Sequence, residues 1–197
     1  MALHDHNSSS GFLVAAKQFV EKQIDWLQQQ INRTAAKPVR NTTWQIGTEI
    51  LFRGEVVRIA AGVEEHSTIT FADQTVQLSH DIQDLQPTIE RHLHRLASTE
   101  LPQKVFLFVQ QHGLQVKRVS LRNQKSRWGS CSRKGKISLN WRLIQAPEFV
   151  STYIILHELM HLRQMNRSPK FWREVEAVCP SFREAERWSK AHGRLLR

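Results

Sequence analysis

The chain has 197 residues, with 28 lysines and arginines against 18 aspartates and glutamates, a formal net charge of +10 at neutral pH. That length suffices for one substantial domain with a real core, no apolar run approaches the ~18 residues of a membrane span, and two cysteines, Cys131 and Cys179, are too few for a disulfide framework. The first residues, MALHDHNSSS, lack a charged-then-apolar secretory pattern, so a cytoplasmic chain with free thiols and no membrane partner is expected.

Residues 11–33 carry Phe12, Ala16, Phe19, Val20, Ile24, Leu27 and Ile31 at three- and four-residue steps, which predicts an N-terminal amphipathic helix. A linker over 34–41 separates it from the rest, dividing the chain into residues 1–40 and a main domain over 41–197. Within the main domain, residues 41–80 read as short β-rich runs, with hairpins turning at Arg53-Gly54 and at residues 72–74, forming a small antiparallel β-sheet. Residues 87–113 read as two helices, over 87–97 and 102–112, each with proline in its first turn, the second stopped by Gly113. His92 and His94, two apart on the first, point to different sides and make a poor joint metal site.

Residues 115–121 and a hairpin over 127–132 and 136–140 follow. From 115 to 147 there is no acidic residue, whereas Lys117, Arg118, Arg122, Lys125, Arg127, Arg133, Lys134, Lys136 and Arg142 all occur there. Such a one-sign segment suits nucleic acid or another polyanion, and equally a solvated basic face. Pro147 then opens a central helix expected to run to about Met165. Ser168-Pro169 opens another, and a last helix starts near Ser181.

The central helix holds the densest chemistry of the chain, His157, Glu158 and His161 in the pattern HExxH. Residues four apart stand one above the other on a helix, so the two imidazoles can address a single ion. Zinc at a catalytic site commonly takes three protein ligands and leaves a position open, and a carboxylate beside that position can take a proton from water. The alternative is a buried helix whose polar groups satisfy one another, since Tyr153, Ile154, Leu156, Leu159, Met160 and Leu162 make it apolar. Ser130 has no GxSxG elbow around it, and Cys131 has only basic neighbours to favour a thiolate.

In order, the segments SRWGSC (126–131), ISLNWRLI (137–144), HELMHL (157–162), N-x-S-P-x-FW (166–172) and PSFREAERW (180–188) resemble the YgjP-like metallopeptidase family, relatives of the SprT-like and WLM zincins. The resemblance covers about residue 44 to the end of the chain. It implies an α+β, zincin-like metallopeptidase domain, with the hairpin beside the central HExxH helix. It also implies one zinc ion held by His157 and His161, with Glu158 as catalytic base. The family's third ligand is the histidine of an NHS triplet; here the triplet is Asn166-Arg167-Ser168, and a guanidinium has donors but no lone pair to give. Glu174, Glu176 and His192 are candidate substitutes.

Arg127 and Asn140 are expected in the substrate cleft, where an arginine can hold a carboxylate or phosphate. Three functions follow: a zinc-dependent metallopeptidase acting on peptides; a metal-dependent pyrophosphatase acting on nucleoside triphosphates such as UTP, a second activity the resemblance implies; and a non-catalytic polyanion-binding module with a decayed metal site.

Overall fold

The computed structural model describes residues 43–63, 67–79, 83–193 and 196. The helix expected over 11–33 and the linker over 34–41 lie outside the described residues.

The β-rich segment forms two small antiparallel sheets. Strands β1 (Glu49–Phe52) and β2 (Glu55–Arg58) pair as a hairpin with Ile50 opposite Val57. Strands β3 (Ala60–Ala61), β4 (Thr68–Phe71) and β5 (Gln74–Gln77) make a three-stranded sheet in that order. Alternation drives both: Ile50, Phe52, Ile69, Phe71 and Val76 are buried while their neighbours on the opposite face are more open.

The two helices expected over 87–97 and 102–112 are a single helix, α1 (Gln86–Gln111), with Pro102 inside it. A proline there removes one backbone hydrogen bond and costs about 3 kcal/mol. Against that, Ile89, Leu93, Ala97, Leu101 and Val105 form an unbroken row at four-residue spacing, none more than 1% exposed. Ending the helix at Pro102 would unpack Leu101 and Val105, each worth about 1.5–3 kcal/mol when buried. The far end stops as expected: Gly113 takes φ 61°, and the amides of Gly113 and Leu114 bond the carbonyls of Gln110 and Val109.

The third sheet is mixed. Strand β6 (Arg118–Arg122) runs parallel to β8 (Lys136–Asn140), and β7 (Gly129–Cys131) pairs with the other side of β8 in the expected hairpin. The order β6-β8-β7 leaves β7 at an edge, and the loop over 123–128 carries the chain across from β6. Ile137 and Leu139 of the central strand are fully buried.

Asn140 then caps a 3-10 helix (Trp141–Gln145), its side-chain oxygen accepting from the Arg142 amide at 3.1 Å. Three helices complete the chain: α2 (Glu148–Met160), α3 (Pro169–Val178) and α4 (Phe182–His192). Helix α2 packs against β7, α3 and α4. It ends five residues short of the expected Met165. The amides of Leu162 and Arg163 bond back to Leu159 and Met160, tightening the last turn, and Arg163, Gln164 and Asn166, with Met165 exposed between them, give no apolar face to continue a buried helix. Ser168 caps α3 as expected, its hydroxyl accepting from the Phe171 amide. Among the described residues no helix is long and apolar enough to cross a membrane.

Candidate active site

His157 and Glu158 lie on the last turn of α2 and His161 is its C-terminal cap; they are 5%, 6% and 8% exposed. The His157 and His161 rings meet edge to face with centroids 5.2 Å apart. His161 is fixed from both sides. Its Nδ1 lies 3.1 Å from the Gln164 carbonyl, to which it must donate, leaving Nε2 with the lone pair. Its ring stacks on Phe171 at 4.4 Å.

His157 is boxed by the rings of Tyr153, Phe171 and Trp172, with its Nδ1 3.4 Å from the Tyr153 hydroxyl. Its Nε2 is buried without a hydrogen-bond partner among the described residues. Leaving a buried imidazole nitrogen unmatched costs about 1–3 kcal/mol, which a satisfied polar core would avoid.

Burial sets the protonation states. The His157 pKa falls to about 4, chiefly from burial and then from the neighbouring His161 and Arg167. Burial also lowers His161, with Arg167 adding to the effect and the Gln164 carbonyl opposing it. Both rings are therefore neutral near pH 7 and able to donate a lone pair. The Glu158 carboxyl is pushed up to about 7 by burial, against the pull of Arg167 and Arg127.

His157 and Glu158 line an open cleft of about 330 Å³. The loop before β7 lines it with Arg127 and Trp128, α2 supplies Tyr153, His157 and Glu158, and Arg167 and Trp172 complete the lining from beyond α2. Gly129 is required by this construction: a β-carbon there would sit 2.6 Å from Glu158 Cγ. Close approach of the edge strand to the carboxyl leaves no room for a side chain.

The residues fit a metal ion in part. Two neutral imidazoles, one with an orphaned nitrogen, match the donors zinc takes. The third position does not match. Arg167 lines the cleft beside them, and its guanidinium cannot ligate. None of the substitutes considered from the sequence completes the set: Glu174 is paired with Arg163 at 3.0 Å, Glu176 lines a separate groove, and His192 turns its Nδ1 to the Trp188 carbonyl and stacks on that indole. Among the described residues no group of three histidine, cysteine or acidic side chains is placed to hold an ion.

Arg127 lines the cleft. Asn140 does not. It is 2% exposed, and its amide donates to the carbonyls of Gln124 and Arg127 while its oxygen caps the 3-10 helix. It anchors the loop that presents Arg127, because all its polar atoms are spent on backbone. Of the basic segment, Lys117, Arg118, Arg122, Arg133, Lys134 and Lys136 are exposed, whereas Arg142 packs on Trp141 and pairs with Glu90. The Cys131 thiol is pushed up to about 11 by burial and by Glu158, the opposite of an activated nucleophile. His92 bonds Gln74 and Arg95, and His94 packs on Trp141, so neither belongs to the site.

Comparison with known proteins supplies the family. A family model described as "YgjP-like, metallopeptidase domain" matches residues 13–192, reaching upstream of the resemblance read from about residue 44. Among solved structures, the metallopeptidase zymogen abylysin of Pyrococcus abyssi is 30% identical, with 49% of this chain and 96% of that chain covered and a TM-score of 0.43. The metallopeptidase zymogen jannalysin of Methanocaldococcus jannaschii is 22% identical, with 47% and 98% covered and a TM-score of 0.39. No curated protein matches the chain.

Proposed function

Because the chain belongs to the YgjP-like metallopeptidase domain family, we propose that it is a zinc-dependent peptidase in which His157 and His161 hold the ion and Glu158 is the general base. The observation that carries this reading is the buried Nε2 of His157, without a partner among the described residues, one helical turn from His161 and beside a carboxyl group that lines the cleft. His157 and His161 would hold the ion, which would supply Lewis-acid chemistry to the site.

The remaining work falls to the chain's own side chains. Among the described residues β7 stands at the edge of its sheet, beside Glu158, where an extended peptide can add as a further strand. Glu158 then lies next to the backbone of that strand, and its carboxyl makes no hydrogen bond to the described residues. A base whose pKa lies near working pH combines enough ionised form with enough driving force, and a value of about 7 meets that condition. Tyr153 and Trp172 hold the His157 ring and keep water from its faces.

The test is hydrolysis of a mixed unfolded-peptide library by the purified protein, with and without chelator and with zinc restored. Cleavage that chelator stops and zinc restores supports the reading. Chelator-insensitive cleavage overturns the metal's role, and hydrolysis confined to nucleoside triphosphates in parallel reactions overturns the substrate class.

A further inference from the structure

Among the described residues, two of the cationic groups that line the cleft take part in no ion pair. Lys190 is paired with Glu186 at 3.3 Å. Arg127 and Arg167, both exposed and both lining the cleft, make no ion pair or side-chain hydrogen bond with the described residues. A guanidinium presents a rigid fork of donors that matches a planar carboxylate in two parallel bonds. Two such forks beside the proposed base, neither tied up in an ion pair or side-chain hydrogen bond with the described residues, describe a receptor for a negative group.

The cleft also continues. Trp172 and Glu186 line both it and a neighbouring groove of about 630 Å³ between α3 and α4. The floor of that groove is apolar, Trp172 stacked on Phe182 at 5.6 Å, and its rim carries Arg173, Arg183 and Arg187. Glu176 and Glu186 interrupt this basic rim. Alternating signs of that kind repel an unbroken row of phosphates and tolerate carboxylates spaced along a peptide.

We infer that the site selects acidic peptides, with Arg127 and Arg167 gripping a glutamate or aspartate side chain beside the scissile bond and the adjoining groove taking an apolar residue with further acidic neighbours. This rests on the peptidase reading for its substrate class, but its test reads binding alone.

The experiment measures fluorescence anisotropy of labelled peptides with Glu158→Gln protein, chosen to suppress turnover. One peptide carries glutamates around a single phenylalanine and an amidated C-terminus; a second has every glutamate replaced by glutamine; a third is the glutamine peptide with a free C-terminal carboxylate. A charge-assisted contact is worth about 10- to 100-fold in affinity, so the acidic peptide should bind at least about tenfold more tightly than its amide counterpart. Arg167→Gln and Arg127→Gln should each shrink that ratio, and Arg167→Lys should restore part of it, which a merely structural role would not do. Equal binding of the first two peptides overturns the inference. So does a preference carried only by the free C-terminus, or displacement of the acidic peptide by a nucleoside triphosphate or oligonucleotide at lower concentration than unlabelled peptide. Tight acidic-peptide binding by a protein that cleaves no peptide would sink the peptidase reading and leave this one standing. Cleavage of acidic and neutral peptides alike would do the reverse.

Discussion

The backbone of Gly129 lies against the side chain of Glu158, so close that a β-carbon at position 129 would stand 2.6 Å from Cγ and 2.9 Å from Oε1. The edge strand is thus the wall that sets where the carboxyl points. Gly129→Ala should push Glu158 aside, and a misplacement of ~1 Å at a catalytic group costs on the order of 10²-fold in rate. Overpacking should lower stability by only about 1–3 kcal/mol. Peptide hydrolysis measured alongside thermal unfolding checks this. A variant that hydrolyses at the wild-type rate would show that the strand does not position the base.

Asn140 supports the same wall from behind, through its bonds to the carbonyls of Gln124 and Arg127. Asn140→Ala removes those bonds and leaves the carbonyls unmatched at a cost of about 1–3 kcal/mol. Because the loop carries Arg127, substrate affinity should fall as well as stability. A KM unchanged in a destabilised variant would confine Asn140 to a purely structural role.

The burial of ionisable groups predicts a pH dependence for the metal-free protein. Glu158 has its pKa raised to about 7 from 4.5, so its contribution is fully present below pH 4.5 and lost as pH rises through 7. His157 has its pKa lowered to about 4 from 6.5, so its contribution is present above pH 6.5 and lost as pH falls through 4. Each is worth on the order of 3 kcal/mol. Metal-free protein should therefore be most stable between the two, near pH 5 to 6. Glu158→Gln should stabilise it at pH 8 and not at pH 5; denaturant unfolding at both values decides, and an equal effect at the two would contradict the assignment to a buried charge.

Much of this was legible because it is local. The HExxH spacing, the Ser168 cap, the Gly113 stop and the tight hairpin each depend on residues within a few positions of one another. Pro102 misleads because local propensity argues for a break, whereas the row from Ile89 to Val105 is a tertiary demand that outweighs it. The parallel pairing of β6 with β8 follows from a crossover that no periodicity reports. Gly129 against Glu158 and Asn140 beneath Arg127 are contacts across separate elements. Neither residue type announces them. Arg167 was legible as a departure from the family pattern, and the structure brings it into the cleft with His157 and Glu158.

That placement makes Arg167→His informative. The change removes a positive charge from beside the two imidazoles and returns a neutral donor nitrogen at the position where the resembled family has its ligand. Zinc affinity should rise by more than the about 10- to 100-fold that surrounding groups confer on metal sites. The preference for acidic peptides should fall at the same time. Titration of both proteins with zinc at fixed pH checks this, and two equally tight isotherms would mean that a replacement ligand already completes the wild-type site.

The most direct measurement pairs zinc content with peptide hydrolysis in Glu158→Gln and His157→Ala. If His157 is a ligand and Glu158 the base, Glu158→Gln should keep its zinc and lose about 10²- to 10⁴-fold in rate, while His157→Ala should lose both. Zinc retained by His157→Ala, or full activity in Glu158→Gln, would contradict the account at its centre.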